Sequence, residues 1–224
     1  MVIYLDGADL QEIANAQDDN PLVQGFTTNP SLMWKAGISD YREFAKQILT
    51  ITHKPVSFEV FSDTLTEMGM QAIEIASWGK NIYVKIPVTT TTGESCAPLI
   101  KSLGERGIKV NATAIMTMAQ IDTVARSLAG PSILSIFCGR IADTGRDPVP
   151  FITKALHVKK AETKILWAST REVLNVKQAE MAGADIITMS PDLIKKMDLF
   201  GKDLAEYSRE TVQQFYDDAK GLSL

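Results

Sequence analysis

Lys85 stands in Asn81-Ile82-Tyr83-Val84-Lys85-Ile86-Pro87, a short apolar and β-branched run that reads as a buried strand. Desolvation disfavours an ammonium, so a lysine in such a run either pairs with an anion or gives up its proton. A neutral amine attacks carbonyls, which makes Schiff-base formation one chemistry open to Lys85. The ordinary alternatives are a structural pair with a carboxylate, or a strand-end lysine that reaches solvent. Asp6 and Glu59 also fall at strand ends. Carboxylates within reach of a reacting group can carry its protons. Plainer uses exist for each residue in this set. Asp6 could cap the helix that starts near Ala8, and Glu59 could be Lys85's structural partner or a carboxylate at a surface end. Asn29 precedes Pro30, as turn residues do, and Asn111 and Thr113 could satisfy loop backbone groups. Arg140 and Arg171 could form exposed salt bridges. Taken singly, the plainer use is preferred for Asp6, Asn29, Arg140 and Arg171.

The elements that must position these groups follow from the apolar pattern. Strands are expected at 2–6, 24–27, 56–60, 82–86, 108–111, 132–137, 164–168 and 185–188. Helices are expected between them at 10–17, 95–103, 118–128, 148–157, 171–181 and 192–197. Two more helices show as stripes, one through Tyr41, Phe44, Ala45, Ile48 and Leu49, the other through Met68, Ala72, Ile75 and Ala76. Eight alternations predict a parallel sheet, and their number suggests closure into a barrel, although an open doubly wound sheet has similar local patterning. No GxGxxG follows the first strand and no GxxxxGK[ST] occurs, which removes support for dinucleotide and P-loop functions.

Strand parity separates two faces. Ile3 and Leu5, Phe58 and Val60, Ile82 and Val84, Ile108 and Val110, and Leu134 and Ile136 form a uniformly apolar face. The opposite parity carries Tyr4 and Asp6, Ser57 and Glu59, Tyr83 and Lys85, Lys109 and Asn111, Ser135 and Phe137, and Trp167 and Ser169. The chemically capable residues thus recur on one face, at or near C-terminal strand ends, where a barrel of this kind builds its site.

The chain has 224 residues, enough for one sizeable core and somewhat short of the ~250 typical of a (β/α)8 barrel. No linker divides it, so residues 1–224 read as one domain, with a C-terminal helix at 203–220. A net charge of -4 gives no general affinity for nucleic acid. Cys96 and Cys138 are the only cysteines, and His53 and His157 the only histidines; none lies in a metal-ligand spacing. There is no membrane-length apolar run and no signal-like start, so a cytoplasmic protein without a membrane partner is expected.

Taken together, these segments resemble a known family. Phe26-Thr27-Thr28-Asn29-Pro30-Ser31-Leu32 is similar to the TTNPSL signature of the transaldolases and the related small fructose-6-phosphate aldolases. Val84-Lys85-Ile86-Pro87 resembles their lysine strand. Leu5-Asp6, Phe58-Glu59-Val60, Asn111-Ala112-Thr113-Ala114, Phe137-Cys138-Gly139-Arg140 and Ala168-Ser169-Thr170-Arg171 match further positions in the same order. The resemblance runs from Leu5 to at least Ser190, and the length is that of the short-chain subfamily.

The resemblance implies a single-domain (β/α)8 TIM barrel of class I aldolase type that moves a dihydroxyacetone unit between sugar phosphates without metal or cofactor, as in the pentose phosphate pathway. It implies that Lys85 forms the imine, that Glu59 acts through a water held by Thr113, and that Asp6 exchanges the proton of the substrate hydroxyl. Thr27, Asn29, Asn111, Ser135 and Phe137 would bind substrate, and Arg140, Ser169 and Arg171 would grip its phosphate. Guanidinium forks suit phosphate, and a helix start near Arg171 would add backbone donors. Glu59 and Phe137 are the residues of true transaldolases, whereas relatives acting on free dihydroxyacetone tend to carry Gln and Tyr. Ile136 and Trp167 depart from the pattern, and Trp167 is expected to point inward beneath the phosphate site. Competing functions are a fructose-6-phosphate aldolase and a non-catalytic sugar-phosphate-binding barrel. Short-chain relatives form ring-like homo-oligomers, so the C-terminal helix is expected either to cover the barrel bottom or to pack on a neighbouring copy.

Overall fold

Strands and helices alternate in the computed structural model, which describes residues 1–222. In chain order the elements are β1 (Val2–Asp6), α1 (Leu10–Asp19), β2 (Val23–Thr27), α2 (Pro30–Lys35), α3 (Tyr41–Ile51), β3 (Val56–Glu59), α4 (Leu65–Ser77), β4 (Ile82–Pro87) and α5 (Ala97–Glu105). They continue with β5 (Val110–Ile115), α6 (Met118–Ser127), β6 (Ser132–Ile136), α7 (Cys138–Ala142), α8 (Val149–Val158), β7 (Thr163–Trp167), α9 (Leu174–Ala182) and β8 (Ile186–Met189). α10 (Pro191–Lys195), a 3-10 turn (Lys196–Leu199) and α11 (Leu204–Ala219) complete the described residues. The strands pair in parallel in sequence order, and β8 returns to β1, which closes the sheet into a TIM barrel.

Local chemistry sets many of the boundaries. Asp9 accepts from the amides of Gln11 and Glu12 and so caps α1, which leaves Asp6 free of the capping use open to it from sequence. Asn29 caps α2 by accepting from Leu32, with Pro30 at the first helical position, where its missing N–H is harmless. Thr117 and Gln120 form a reciprocal capping box on α6. The expected helix at 171–181 begins only at Leu174, because the Asn175 carboxamide oxygen accepts from the amides of Arg171 and Glu172 and holds them in a turn. β5 runs to Ile115, four residues beyond its expected end at Asn111. Its pairing with β6 slips between Ala112 and Ile115, where Ala114 has φ +60°. Such a bulge re-aims the residues around it.

The apolar face inferred from strand parity packs under the helices, with Phe58, Val84, Val110, Leu134 and Ile136 fully buried there. The barrel interior carries a second, smaller cluster of Tyr4, Ile133, Leu166, Ala168 and Ile186, with Tyr83 and Phe137 against it. Trp167 was expected inside and is not: it lies in the layer between barrel and helices. The cause is register. Trp167 pairs with Ile136, parallel partners share a face, and Ile136 faces the helices. Leu166, and Ala168 just after the strand, therefore face inward. Lys109, also assigned to the inward face, sits just before β5, at its N-terminal end; its amine donates to the Lys80 carbonyl and lies over the Tyr83 ring.

α11 covers no part of the barrel: every residue from Leu204 to Ala219 is at least partly exposed, and Leu204, Val212 and Phe215 lie 79%, 62% and 65% open. Among the described residues no helix is long and apolar enough to cross a membrane.

Gly25 lets Tyr4 fill the interior, since a Cβ there would fall 2.5–2.8 Å from three atoms of the Tyr4 ring. Gly25→Ala is expected to cost about 1–3 kcal/mol of stability through overpacking, read as a lowered urea midpoint.

Candidate active site

Three consecutive strands deliver the central group. β4 carries Lys85, β3 carries Glu59 as its register partner, and Thr28 follows β2. Lys85 is 6% exposed, and its Nζ lies 3.0 Å from Glu59 Oε2 and donates to the Thr28 carbonyl at 2.8 Å. Of the alternatives open from sequence, the pairing with a carboxylate is the one this geometry realises, and the lysine does not reach solvent. A buried ion pair persists only where further hydrogen bonds complete it, and the Thr28 carbonyl supplies one. Glu59 is anchored in turn through its own carbonyl, which accepts from Tyr41 Oη at 3.0 Å. Tyr41 packs edge-on to Phe58 and Trp78, so the end of β3 is held from the helix side by an aromatic cluster.

Asp6 ends β1 beside this pair. Its carboxyl is pushed above the usual carboxylate range, chiefly by burial. Lys85 and a hydrogen bond from Thr27 oppose that shift, and Glu59 adds to it. Thr27 Oγ1 donates to Asp6 at 2.7 Å and lies 2.6 Å from Thr188 Oγ1 on β8. Thr27, expected to bind substrate, is buried, and its hydroxyl meets Asp6 and Thr188.

Asn111 and Ser135 come together deeper in the barrel. Asn111 Nδ2 donates to Ser57 Oγ at 3.0 Å, and Ser135 Oγ donates to Asn111 Oδ1 at 2.7 Å. The network fixes the Asn111 carboxamide, with all three residues buried. Thr113 follows on the same strand, and its buried hydroxyl has no protein partner. A buried, unpaired hydroxyl two residues beyond Asn111, the register partner of Lys85, suits a water or a substrate oxygen. Phe137 follows β6 and closes the interior apolar cluster from above. Asn29 lies on the rim, its oxygen used by the α2 cap.

Arg140, Ser169 and Arg171 gather at the β6 and β7 ends. A Cβ on Gly139 would fall 1.6 Å from the Ser169 carbonyl oxygen and 3.0 Å from Arg171 Cγ, so only glycine lets the loops meet this closely. Ser169 itself is left-handed at φ +63°. Arg171 is already engaged: its Nη2 lies 2.7 Å from Asp143 Oδ2 and its Nε donates to the same carboxylate. That guanidinium holds Asp143 below the ordinary carboxylate range. Two backbone donors expected for phosphate at the α9 start are occupied by Asn175.

Sequence reasoning gave no role to Thr28, Ser57 or Thr188. Thr28 acts through its carbonyl, which side-chain chemistry does not reveal. Ser57 was legible on the inward parity, and Thr188 becomes visible only once β8 lies beside β1. Among the described residues no group of three His, Cys, Asp or Glu side chains is placed to hold a metal.

A closed parallel barrel with a lysine and two carboxylates at its C-terminal mouth is a TIM barrel that carries its ionisable groups where such barrels build their sites. Residues 3–224 match the model of the transaldolase/fructose-6-phosphate aldolase family. A probable transaldolase of Dehalococcoides mccartyi is 35% identical over 201 residues, covering 88% of this chain and 90% of its own. One of Brucella anthropi is 37% identical over 200 residues, covering 88% of both. The chain belongs to the transaldolase/fructose-6-phosphate aldolase family. A 3-hexulose-6-phosphate synthase from Salmonella typhimurium shares the fold alone, with a TM-score of 0.58 at 18% identity over 85% of this chain and 89% of that one.

Burial raises the Asp6 pKa on folding, so its contribution to stability is lost as pH rises through the folded value. Asp6→Asn, which stays neutral, is expected to be more stable than the parent at neutral pH. The gap should narrow as pH falls and Asp6 becomes protonated, a trend measurable by urea denaturation across pH.

Proposed function

We propose that the protein is a transaldolase that carries a dihydroxyacetone unit from sedoheptulose 7-phosphate to glyceraldehyde 3-phosphate, giving erythrose 4-phosphate and fructose 6-phosphate, through an imine on Lys85. The observation that carries this is the buried Lys85 amine, 3.0 Å from Glu59 and within the field of Asp6. In this scheme Glu59 takes a proton from the Lys85 ammonium, the freed amine adds to the ketose carbonyl, and Glu59 returns the proton to the carbonyl oxygen through a water beside the unpaired Thr113 hydroxyl. The hydroxyl formed from the carbonyl oxygen is protonated by the same relay and leaves as water, which gives the imine. Asp6 then accepts the proton of the substrate hydroxyl, the adjacent C–C bond breaks, and the imine takes up the electron pair. An acceptor aldehyde reverses the sequence. The imine supplies the electron sink, so the scheme needs no metal. Asn29, Asn111 and Ser135 would hold hydroxyls, and Thr27 would line the same mouth. Arg140, Ser169 and Arg171 would receive the phosphate, Arg171 after leaving Asp143. The protein would act in the cytoplasm.

Simple aldol cleavage of fructose 6-phosphate is the second possibility. Phe137 favours transfer over cleavage. It adds an apolar ring above the interior cluster and offers no hydroxyl to hold or activate water, so the bound carbanion waits for an aldehyde. The exposed apolar residues of α11 support a homo-oligomer in which this helix packs on a second copy.

Incubation with fructose 6-phosphate followed by borohydride reduction should add the mass of the reduced adduct to Lys85, and Lys85→Ala should gain none. Substrate binding without an adduct in the parent protein would favour the non-catalytic barrel, and cleavage without transfer to an added aldehyde would favour the aldolase. Val212→Glu with Phe215→Glu should lower the sedimentation mass of the assembly; a parent protein that sediments as a monomer refutes the oligomer.

A further inference from the structure

We propose that Thr188 is a positioning residue for Asp6, acting through Thr27 as the second link of a reversible hydroxyl chain; this rests on the proton-accepting role proposed for Asp6. Three inward side chains from neighbouring strands make the chain. Thr188 on β8 lies 2.6 Å from Thr27 on β2, and Thr27 lies 2.7 Å from Asp6 on β1 between them. Both threonines are buried, at 6% and 3% exposure, so water does not compete for their hydroxyls. β8 pairs with β1 and β1 with β2, which fixes the spacing by sheet register. The Thr188 carbonyl is itself tied, accepting from Thr170 Oγ1 at 2.7 Å.

The direction of the chain follows from counting protons. An ionised Asp6 can only accept, so the single Thr27 hydroxyl proton points at it. The 2.6 Å contact behind then requires Thr188 to donate to Thr27. When Asp6 takes the substrate proton, its new O–H can donate to Thr27. Thr27 then turns its own proton onto Thr188. Both protonation states of a buried carboxyl are thereby hydrogen-bonded, by rotation of two hydroxyls. No proton leaves along the chain: the one taken from substrate stays on Asp6 until condensation returns it. Charged groups face Asp6 from two other strands, Lys85 on β4 and Glu59 on β3, while β2 and β8 contribute these hydroxyls. Mutual polarisation strengthens such chains, most where one member is charged. Losing Thr188 should therefore cost the carboxylate state more than the acid state.

The test is steady-state transfer by the full-length protein across pH. Thr188→Val keeps the shape and removes the hydroxyl. It should lower kcat roughly three- to tenfold, the rate equivalent of one hydrogen bond, with KM little changed. The acidic limb of the kcat profile should move to higher pH, because the carboxylate loses support. Thr188→Ser, which restores the hydroxyl, should return both to parent values, and borohydride trapping on Lys85 should persist in every variant. Should the valine variant fail to fold, Thr188→Ala is expected to show the same loss and shift. An active parent whose valine or alanine variant keeps both kcat and the acidic limb overturns the chain. A parent with neither turnover nor adduct overturns instead the function on which it rests.

Discussion

The Lys85 amine sits between an anionic oxygen and a peptide carbonyl inside the barrel, and much of the surrounding architecture serves to keep it there. Glu59 supplies the charge and Thr28 the neutral acceptor. Neither partner lies on β4, so the site exists only because β2, β3 and β4 stand side by side in one register. A slip of one residue in β4 would turn Lys85 into the helix layer, among side chains that offer it nothing. Phe58 and Val84, fully buried against the helices, resist that slip by fixing which face of each strand looks outward. The apolar layer and the polar mouth are thus two consequences of the same alternation.

Alternation within a strand is local, and it was legible from sequence. The eight strands, the apolar outer face and the recurrence of capable residues at the mouth all follow from it. What eluded the sequence depends on pairing between strands or on side chains that redirect the backbone. Trp167 looked inward when judged by its own strand, and its pairing with Ile136 turns it outward. Thr188 gains meaning only when β8 closes onto β1. Asn175 reaches back to two amides and delays α9 by three residues relative to the expected start. α2 escaped notice because Asn29-Pro30 also fits a turn, although the same pair suits a capped helix start. Of the two fates open to α11, covering the barrel bottom is not realised, because its apolar residues stay open rather than meeting the barrel.

The polar interior is economical in its dependence on charge. Asp6, Glu59 and Lys85 supply the ionisable groups at the mouth, and hydroxyls or a carboxamide do the remaining orienting. Asn111 is held at both ends by serines, so its amide presents one fixed face. Neutral partners of this kind position a group without adding a further charge beside Asp6.

The Arg171–Asp143 pair has the opposite character, being half exposed and fully charged. Gly139 and Ser169 hold the loops beneath it in close backbone contact, so the pair stands on a rigid floor while its two side chains stay free to part. An anion that arrives there meets a guanidinium already neutralised by a tethered rival. Small monovalent ions gain little by displacing that rival. Under the proposed function, a doubly charged group that also reached Arg140 would gain more, so the resting pair would set a threshold that sorts visitors by valence.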